Sequence, residues 1–574
     1  MTAPGRPARP WPHVGPLRRY GPVVLVLLAV AAAGVVATVR AGGTATHAAR
    51  AASPARAAVP LAYAAAAREG RTADYRWGSR CDPSTGRLKM PTVYALPCVP
   101  LFSGRNGGGT WTGVSATSIN VVYYIPPPND LAAAIQGATG TPAANVATAR
   151  AYVAMLNGIA EMYGRHVNLI PYHATGSSSD TVAAAADAVT VAQQLHAFAS
   201  IGGPLQTSVY ADELAQAQVL CLGCGLSPTY ASIQKDAPYV WASSATADSV
   251  LNTAFSYVID QLNGRDAIWA GNPAWHHRLR SFAVVNYVQS PPVATALTAQ
   301  LKQRLIAARV NMALGQSLTY QLDLTTLTDQ AATIAAKLKA SGATTVVFAG
   351  DPIMPIYLTR ACAAIGYFPE WVITGTAFTD TATLGRYYDQ SEWAHAFGIS
   401  SLAVPMSLQS SDAYRLYRWW YGSRAVPPAG KTAVLVLVPL MQLFAGIELA
   451  GPRLTPASFA EGLFRGPPAG GGPTTPLEAY GSQGAPPYPS YSSPADYTFI
   501  WYDAFATGRN EQGAEGSGLL RYVQGGRRYR DGTVPSGQVP MFSRAGSVTG
   551  YVTPPPGDRP PRYPPWPGSP AAGG

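Results

Sequence analysis

Cysteine and histidine are scarce in this chain, five and eight in 574 residues. No cysteine precedes Cys81, so the lipoprotein route of cleavage and acylation has no acceptor near the N-terminus. The one histidine pair, His276-His277 in AWHHRLRS, has side chains that diverge in any regular strand or helix, and it lacks a nearby cysteine or an HExxH pattern. It reads as a surface loop, not a metal site. A GxSxG elbow and a GxxxxGKS phosphate loop are also missing, and Glu161 and Asp180 fit helix-surface charges better than an acid/base pair. The expectation is a protein that is not an enzyme, with no metal and no cofactor.

The long apolar run is near the start. Residues 21–39 (GPVVLVLLAVAAAGVVATV) carry no charge, and a helix of that length spans about 28 Å, close to one hydrocarbon core. Arg6, Arg9, Arg18 and Arg19 precede it without an acidic residue, which keeps residues 1–20 cytoplasmic and sends the remainder outward. A single-pass signal-anchor in the cell membrane with an extracytoplasmic domain is expected. The Ala-rich stretch after it offers cleavage sites, and cleavage there would leave a secreted protein.

Charge follows the same division. Residues 1–111 hold 14 Lys/Arg against 3 Asp/Glu, whereas residues 112–500 hold 19 against 22. The excess of +11 belongs to the N-terminal arm and the folded part is slightly acidic, so nucleic acid is not an expected partner. Anionic lipid or cell-wall polymer fits the arm better.

Residues 40–111 read as a linker, with a Gly-rich joint at 103–113. Residues 466–495 read as a Pro/Gly/Tyr-rich surface insertion and 546–574 as a disordered Pro-rich tail. The rest exceeds one ordinary core and implies two lobes. Apolar strands such as SINVVYY (118–124), HVNLIPY (166–172), SFAVVNY (281–287) and TTVVFA (344–349) alternate with amphipathic helices. That alternation predicts two doubly wound α/β lobes with parallel sheets, joined by a hinge. The boundaries expected are lobe 1 at 112–248, lobe 2 at 249–396, a return to lobe 1 at 397–465 and a return to lobe 2 at 496–545. The apolar run 433–450 contains Pro439, Gln442 and Glu448 and reads as a helix buried in the fold. RLYRWWY (415–421) reads as an aromatic helix face on the core.

The order GVSATSINVVYY, LNGIAEMYGRHVNLIPYHA and DTVAAAADAVTVAQQLHAFASIGGP resembles the first lobe of the type I periplasmic-binding-protein fold, in its branched-chain amino acid or amide-binding branch. TDQAATIAAKLKASGATTVVFAGDP and TRACAAIGYFPEWVITGTAF resemble its second lobe. The resemblance spans roughly residues 112–450 and implies a solute-binding protein that closes on a small molecule and delivers it to an ABC permease. A second reading is a membrane-anchored ligand sensor or envelope scaffold using the same cleft.

Ligands of open parallel sheets bind beyond the carboxyl ends of the strands. Cleft loops are therefore expected at 126–129, 203–207 and 225–227, facing 287–290, 350–352 and 374–376. By position in the family's pattern, Gln206, Leu226 (through its backbone), Ser227, Tyr287, Asp351 and Thr376 are the expected ligand contacts. Capping and strand-closing roles are the alternatives for Ser227, Asp351 and Tyr287. Where amino-acid binders of the family carry an acidic residue after a second-lobe strand, this chain reads Gly375-Thr376-Ala377-Phe378. Asp351 or Asp380 would have to replace it, and a neutral amide, a carboxylate or an aromatic compound is an equal alternative to an amino acid.

Outside the cytoplasm, Cys81 and Cys98 are expected to pair, closing a Pro/Gly-rich loop worth about 3 kcal/mol in loop entropy. Cys221 and Cys224 in VLCLGCGLSP pair across a turn or stay as buried thiols; the setting within an apolar strand argues against a redox dithiol. Cys362 is left over.

Overall fold

The computed structural model describes residues 59–128, 130, 141–225, 227–288 and 295–573. The expected membrane segment 21–39 and the expected contact Leu226 lie outside them. The described chain starts with the helix Tyr63–Arg68 and a two-stranded antiparallel hairpin, β1 (Cys81–Asp82) and β2 (Arg87–Leu88). The Cys81–Cys98 disulfide ties this hairpin, with Cα atoms 5.6 Å apart. Its apolar residues Met90, Ala95 and Leu96 are buried in the core of the first lobe, so this part of the linker belongs to the folded domain.

That lobe is a five-stranded parallel sheet. Strands β3 (Ser118–Ile125), β4 (His166–His173), β5 (Ala199–Ile201), β6 (Leu220–Leu222) and β7 (Val240–Trp241) lie in the order β4-β3-β5-β6-β7. The central strands β5 and β6 are buried at every residue, as strands covered on both faces must be, which is why their sequence shows apolar runs and no alternation. Between the strands run helices such as Pro142–Ile159, started by the Thr141 side chain accepting from the backbone N–H of Ala144.

The second sheet holds β8 (Phe282–Tyr287), β9 (Leu318–Tyr320), β10 (Thr345–Ala349), β11 (Glu370–Ile373) and β12 (Ala396–Ser400), all parallel, in the order β9-β8-β10-β11-β12. Antiparallel strands β13 (Asp496–Arg509), β14 (Glu515–Tyr522) and β15 (Arg528–Arg530) extend it beyond β12. Separate apolar clusters cover its two faces.

Three further expectations are corrected. Residues 397–400 were expected in the return to lobe 1, but they form most of β12 and pair with β11 and β13. The return begins after Ser400, with the helices Asp412–Tyr421, Ala433–Ala450 and Pro456–Arg465 entering the core of the first lobe. The insertion 466–495 is not a plain surface loop: Tyr491 packs 4.7 Å from Trp241, and the Ser492 hydroxyl donates to the Ser244 carbonyl at 2.7 Å. The tail is also ordered. Trp566 is buried against Trp419 at 5.8 Å, Trp419 Nε1 donates to the Pro564 carbonyl, and Asp558 accepts from the N–H and hydroxyl of Thr474. A Pro-rich chain has little backbone freedom to lose on docking, and a few aromatic and charged anchors suffice to hold it.

Gly430–Ala450 is long and apolar enough to cross a membrane by length and composition. Leu440, Leu443, Phe444 and Ile447 along it are nevertheless buried in the core of the first lobe, in agreement with the reading of 433–450 as a core helix.

Candidate functional site

Parallel strands leave backbone groups unpaired at their ends, and the loops that follow them converge at the carboxyl edges of the two sheets. Ser227 follows β6 of the first lobe. Tyr287 closes β8, Asp351 follows β10, and Thr376 follows β11 of the second. All four line one cavity, with ≈ 90 Å³ of water-accessible space, together with Asn286, Leu251, Leu297, Ala349 and Ala377. Gln206 is buried after β5 and does not line this wall. Its side chain instead lies close enough to the Tyr287 phenol, in the other lobe, to lower that phenol's pKa. The Ser178 hydroxyl donates to Gln206 Oε1 at 2.8 Å, which fixes the amide's orientation.

Burial and the nearby Asp351 carboxylate push the Tyr287 phenol up to about 12, against the opposite pull of the Gln206 amide. The hydroxyl therefore stays protonated at physiological pH and keeps its own proton to donate.

Asp351 is fully buried and its carboxylate is committed to the fold. Oδ1 accepts from the N–H groups of Ile353 at 2.7 Å and Met354 at 3.1 Å, at the start of the helix Met354–Ala364, and Oδ2 accepts from the Tyr320 hydroxyl. The helix-start alternative thus describes its hydrogen bonding, although the residue borders the cavity. Burial raises the Asp351 carboxyl above its ordinary value, and these bonds oppose the shift. Gly350 is required beside it, since a Cβ there would stand 2.2 Å from the Tyr320 hydroxyl oxygen.

Thr376 is held just as firmly. Its hydroxyl donates to the Gly350 carbonyl at 2.8 Å and lies 3.1 Å from the Thr374 hydroxyl, which donates to the Phe348 carbonyl. The loop turns through Gly375 (φ 80°), then Ala377 (φ 49°) and Phe378 (φ 67°), two non-glycine residues in the left-handed region. Ser227, opposite, has φ 47°. Such conformations cost on the order of 1–3 kcal/mol each and persist where surrounding structure imposes them, often at ligand sites.

Asn286 and Ala377 were not among the expected contacts. A polar residue closing an otherwise apolar strand, the Asn in SFAVVNY, was the available signal for the first. No sequence pattern marks the second. Cys221 and Cys224 are joined, with Cα atoms 5.8 Å apart, so of the two readings left open the paired one holds. Cys362 is buried and unpaired.

The family described as periplasmic binding protein matches residues 132–484. No curated protein matches the chain. Among solved structures, an ABC transporter substrate-binding protein from Aeropyrum pernix is similar at 14% identity, over 72% of this chain and 96% of that one, with a TM-score of 0.49. A fatty acid ABC transporter substrate-binding protein from Thermomonospora curvata is 13% identical over 76% and 99% of the two chains, TM-score 0.48. The branched-chain amino acid transporter substrate-binding protein of Streptococcus pneumoniae, in complex with isoleucine, is 13% identical over 71% and 100%, TM-score 0.43.

Proposed function

The chain belongs to the periplasmic-binding-protein family, and from that premise we propose that it captures a small molecule between its two lobes outside the cytoplasm and presents it to an ABC permease. The observation that carries this reading is the convergence of Ser227 from one lobe and Tyr287, Asp351 and Thr376 from the other on a single cavity at the carboxyl edges of both sheets. The groups there are hydroxyls, an amide, the Asp351 carboxyl already bonded within the fold, and apolar side chains, arranged to hold and release a ligand without covalent chemistry. Gln206 of the first lobe and Tyr287 of the second come near each other only when the lobes approach, and a ligand bound between the lobes shifts the population toward that closed state.

A thermal-shift screen of the full chain against amino acids, amides, urea, alcohols and aromatic acids tests the proposal. A ligand present at a hundred times its Kd adds about 2.7 kcal/mol to the stability of the state that binds it and raises the melting temperature measurably. In Gln206→Ala the same ligand should dissociate faster. If no compound raises the melting temperature while a protein partner binds the folded domain, the sensor or scaffold reading replaces transport.

A further inference from the structure

The charge inventory of the cleft narrows what it takes, on the premise that the cleft is the ligand site. We propose that the cleft selects an uncharged ligand carrying an N–H or O–H donor on a compact apolar body.

Three observations converge on this. Asp351 is the only ionisable carboxyl on the cavity wall among the described residues, no Lys, Arg or His stands there, and both Asp351 oxygens already accept from the fold. The other acidic groups at the carboxyl edges stand off the wall: Asp380, after β11, accepts from the Ser400 hydroxyl on Oδ2 and leaves Oδ1 without a partner, but it does not line the cavity. Asp187 accepts from the hydroxyls of Tyr124, Tyr172 and Thr175 and from the Thr175 N–H, and Asp248 accepts from the Tyr230 N–H at 2.6 Å. The stretches that interrupt the described chain, 129, 131–140, 226 and 289–294, contain no Asp, Glu, Lys, Arg or His. An ammonium would thus meet no free carboxylate on the wall, and a carboxylate would sit near Asp351 with no cation there to offset either charge. Either ion would be desolvated without compensation.

What the wall does offer is matched to a neutral group. Asn286 Oδ1 is a buried acceptor with no partner, and its amide nitrogen donates only weakly, to the Tyr287 carbonyl at 3.4 Å. An unsatisfied buried acceptor calls for a donor, which a ligand N–H or O–H supplies. The Tyr287 hydroxyl, on the same wall, stays protonated and offers its proton to a ligand acceptor. Ala247, Leu251, Leu297, Ala349 and Ala377 form the apolar remainder.

The test uses probes that differ in charge and little in shape: isobutyramide and benzyl alcohol as neutral donors, isobutyrate and benzoate as anions, isobutylamine and benzylamine as cations, and valine as the zwitterion. Thermal shift and calorimetry on the full chain should show a neutral probe binding at least tenfold more tightly than its charged counterparts. Asn286→Asp should invert that order in favour of the amines. Asn286→Ser, a smaller change that keeps the site neutral, should weaken the neutral probe roughly tenfold, the loss of one buried hydrogen bond. If valine or an anion binds as well as or better than the neutral probes, the charge selection is wrong while the solute-binding reading stands. If nothing in the wider screen binds, both fall.

Discussion

The two ends of the second sheet treat a buried carboxyl in opposite ways. At the amino end, Glu370 opens β11 with 0% exposure and receives Arg280 through Nε at 2.7 Å and a terminal guanidinium nitrogen at 2.9 Å. The Trp269 N–H and the Thr345 hydroxyl fill its remaining positions at 3.0 and 2.7 Å, and Arg280 also lies over the Trp269 ring. At the carboxyl end, Asp380 is equally buried but accepts from the Ser400 hydroxyl on Oδ2 and leaves Oδ1 without a partner. The amino end is closed and fully bonded. The carboxyl end carries left-handed non-glycine residues, unpaired acceptors and the cavity. With the cavity as the proposed ligand site, the sheet separates what holds the lobe together from what would meet a ligand, which its parallel strands permit because all their loops of one kind lie on one edge.

The sharpest way to break that comparison is at the amino end. Glu370→Ala strands Arg280 as a buried cation without its counterion, a change that typically destabilises by about 3–5 kcal/mol. Denaturant unfolding should show a loss of that size, and ligand affinity per folded molecule should stay within twofold. An affinity loss at near-normal stability would mean that the two ends are coupled, and the division would fail.

Asp380 gives the next effect. Burial, with the nearby Glu511 charge adding and Ser400 and Arg528 opposing, pushes its carboxyl from 3.8 up to about 7. The folded state therefore holds a proton that the unfolded chain has released. Its contribution to stability is fully present below about pH 4 and is lost as pH rises to about 7, at no more than about 1.4 kcal/mol per pH unit for one group. Melting temperatures of the wild type and Asp380→Asn across pH 4.5–7.5 should diverge, the variant losing less on the alkaline side. Parallel curves would show that Asp380 is already paired in solution and that the two ends are more alike than their bonding suggests.

Much of this contrast was legible in the chain. Strand and helix order followed from apolar runs and helical spacing, and the expected cleft loops followed from where strands end, which is why Ser227, Tyr287, Asp351 and Thr376 fell on one cavity. What resisted reading depends on partners distant in sequence. Trp566 is buried because Trp419 receives the tail, packing against the Trp566 ring and donating to the Pro564 carbonyl, and a Pro-rich composition alone gives no hint of that. Residues 397–400 look equally apolar in either lobe, and only their pairing with β11 and β13 assigns them. The commitment of Asp351 to Tyr320 joins residues 31 apart, so the Asp-Pro pair announced a helix start without revealing that its charge would be unavailable to a ligand.

The smallest effect discriminates most finely between the two ends. Thr376→Val keeps shape and removes the hydroxyl that donates to the Gly350 carbonyl, the bond that ties the loop after β11 to the loop after β10 beside the cavity. Stability should fall by only about 1 kcal/mol, the net worth of one such bond. Because that bond helps hold Ala377 in its left-handed conformation against the wall, the affinity of a cleft ligand should fall by more than the same 1 kcal/mol would predict, beyond fivefold. Calorimetric titration of wild type and variant at matched folded concentration reads this directly. Equal affinities would show that the strained loop serves the fold alone, and that the carboxyl end of the sheet, like the amino end, is organised for stability at this position.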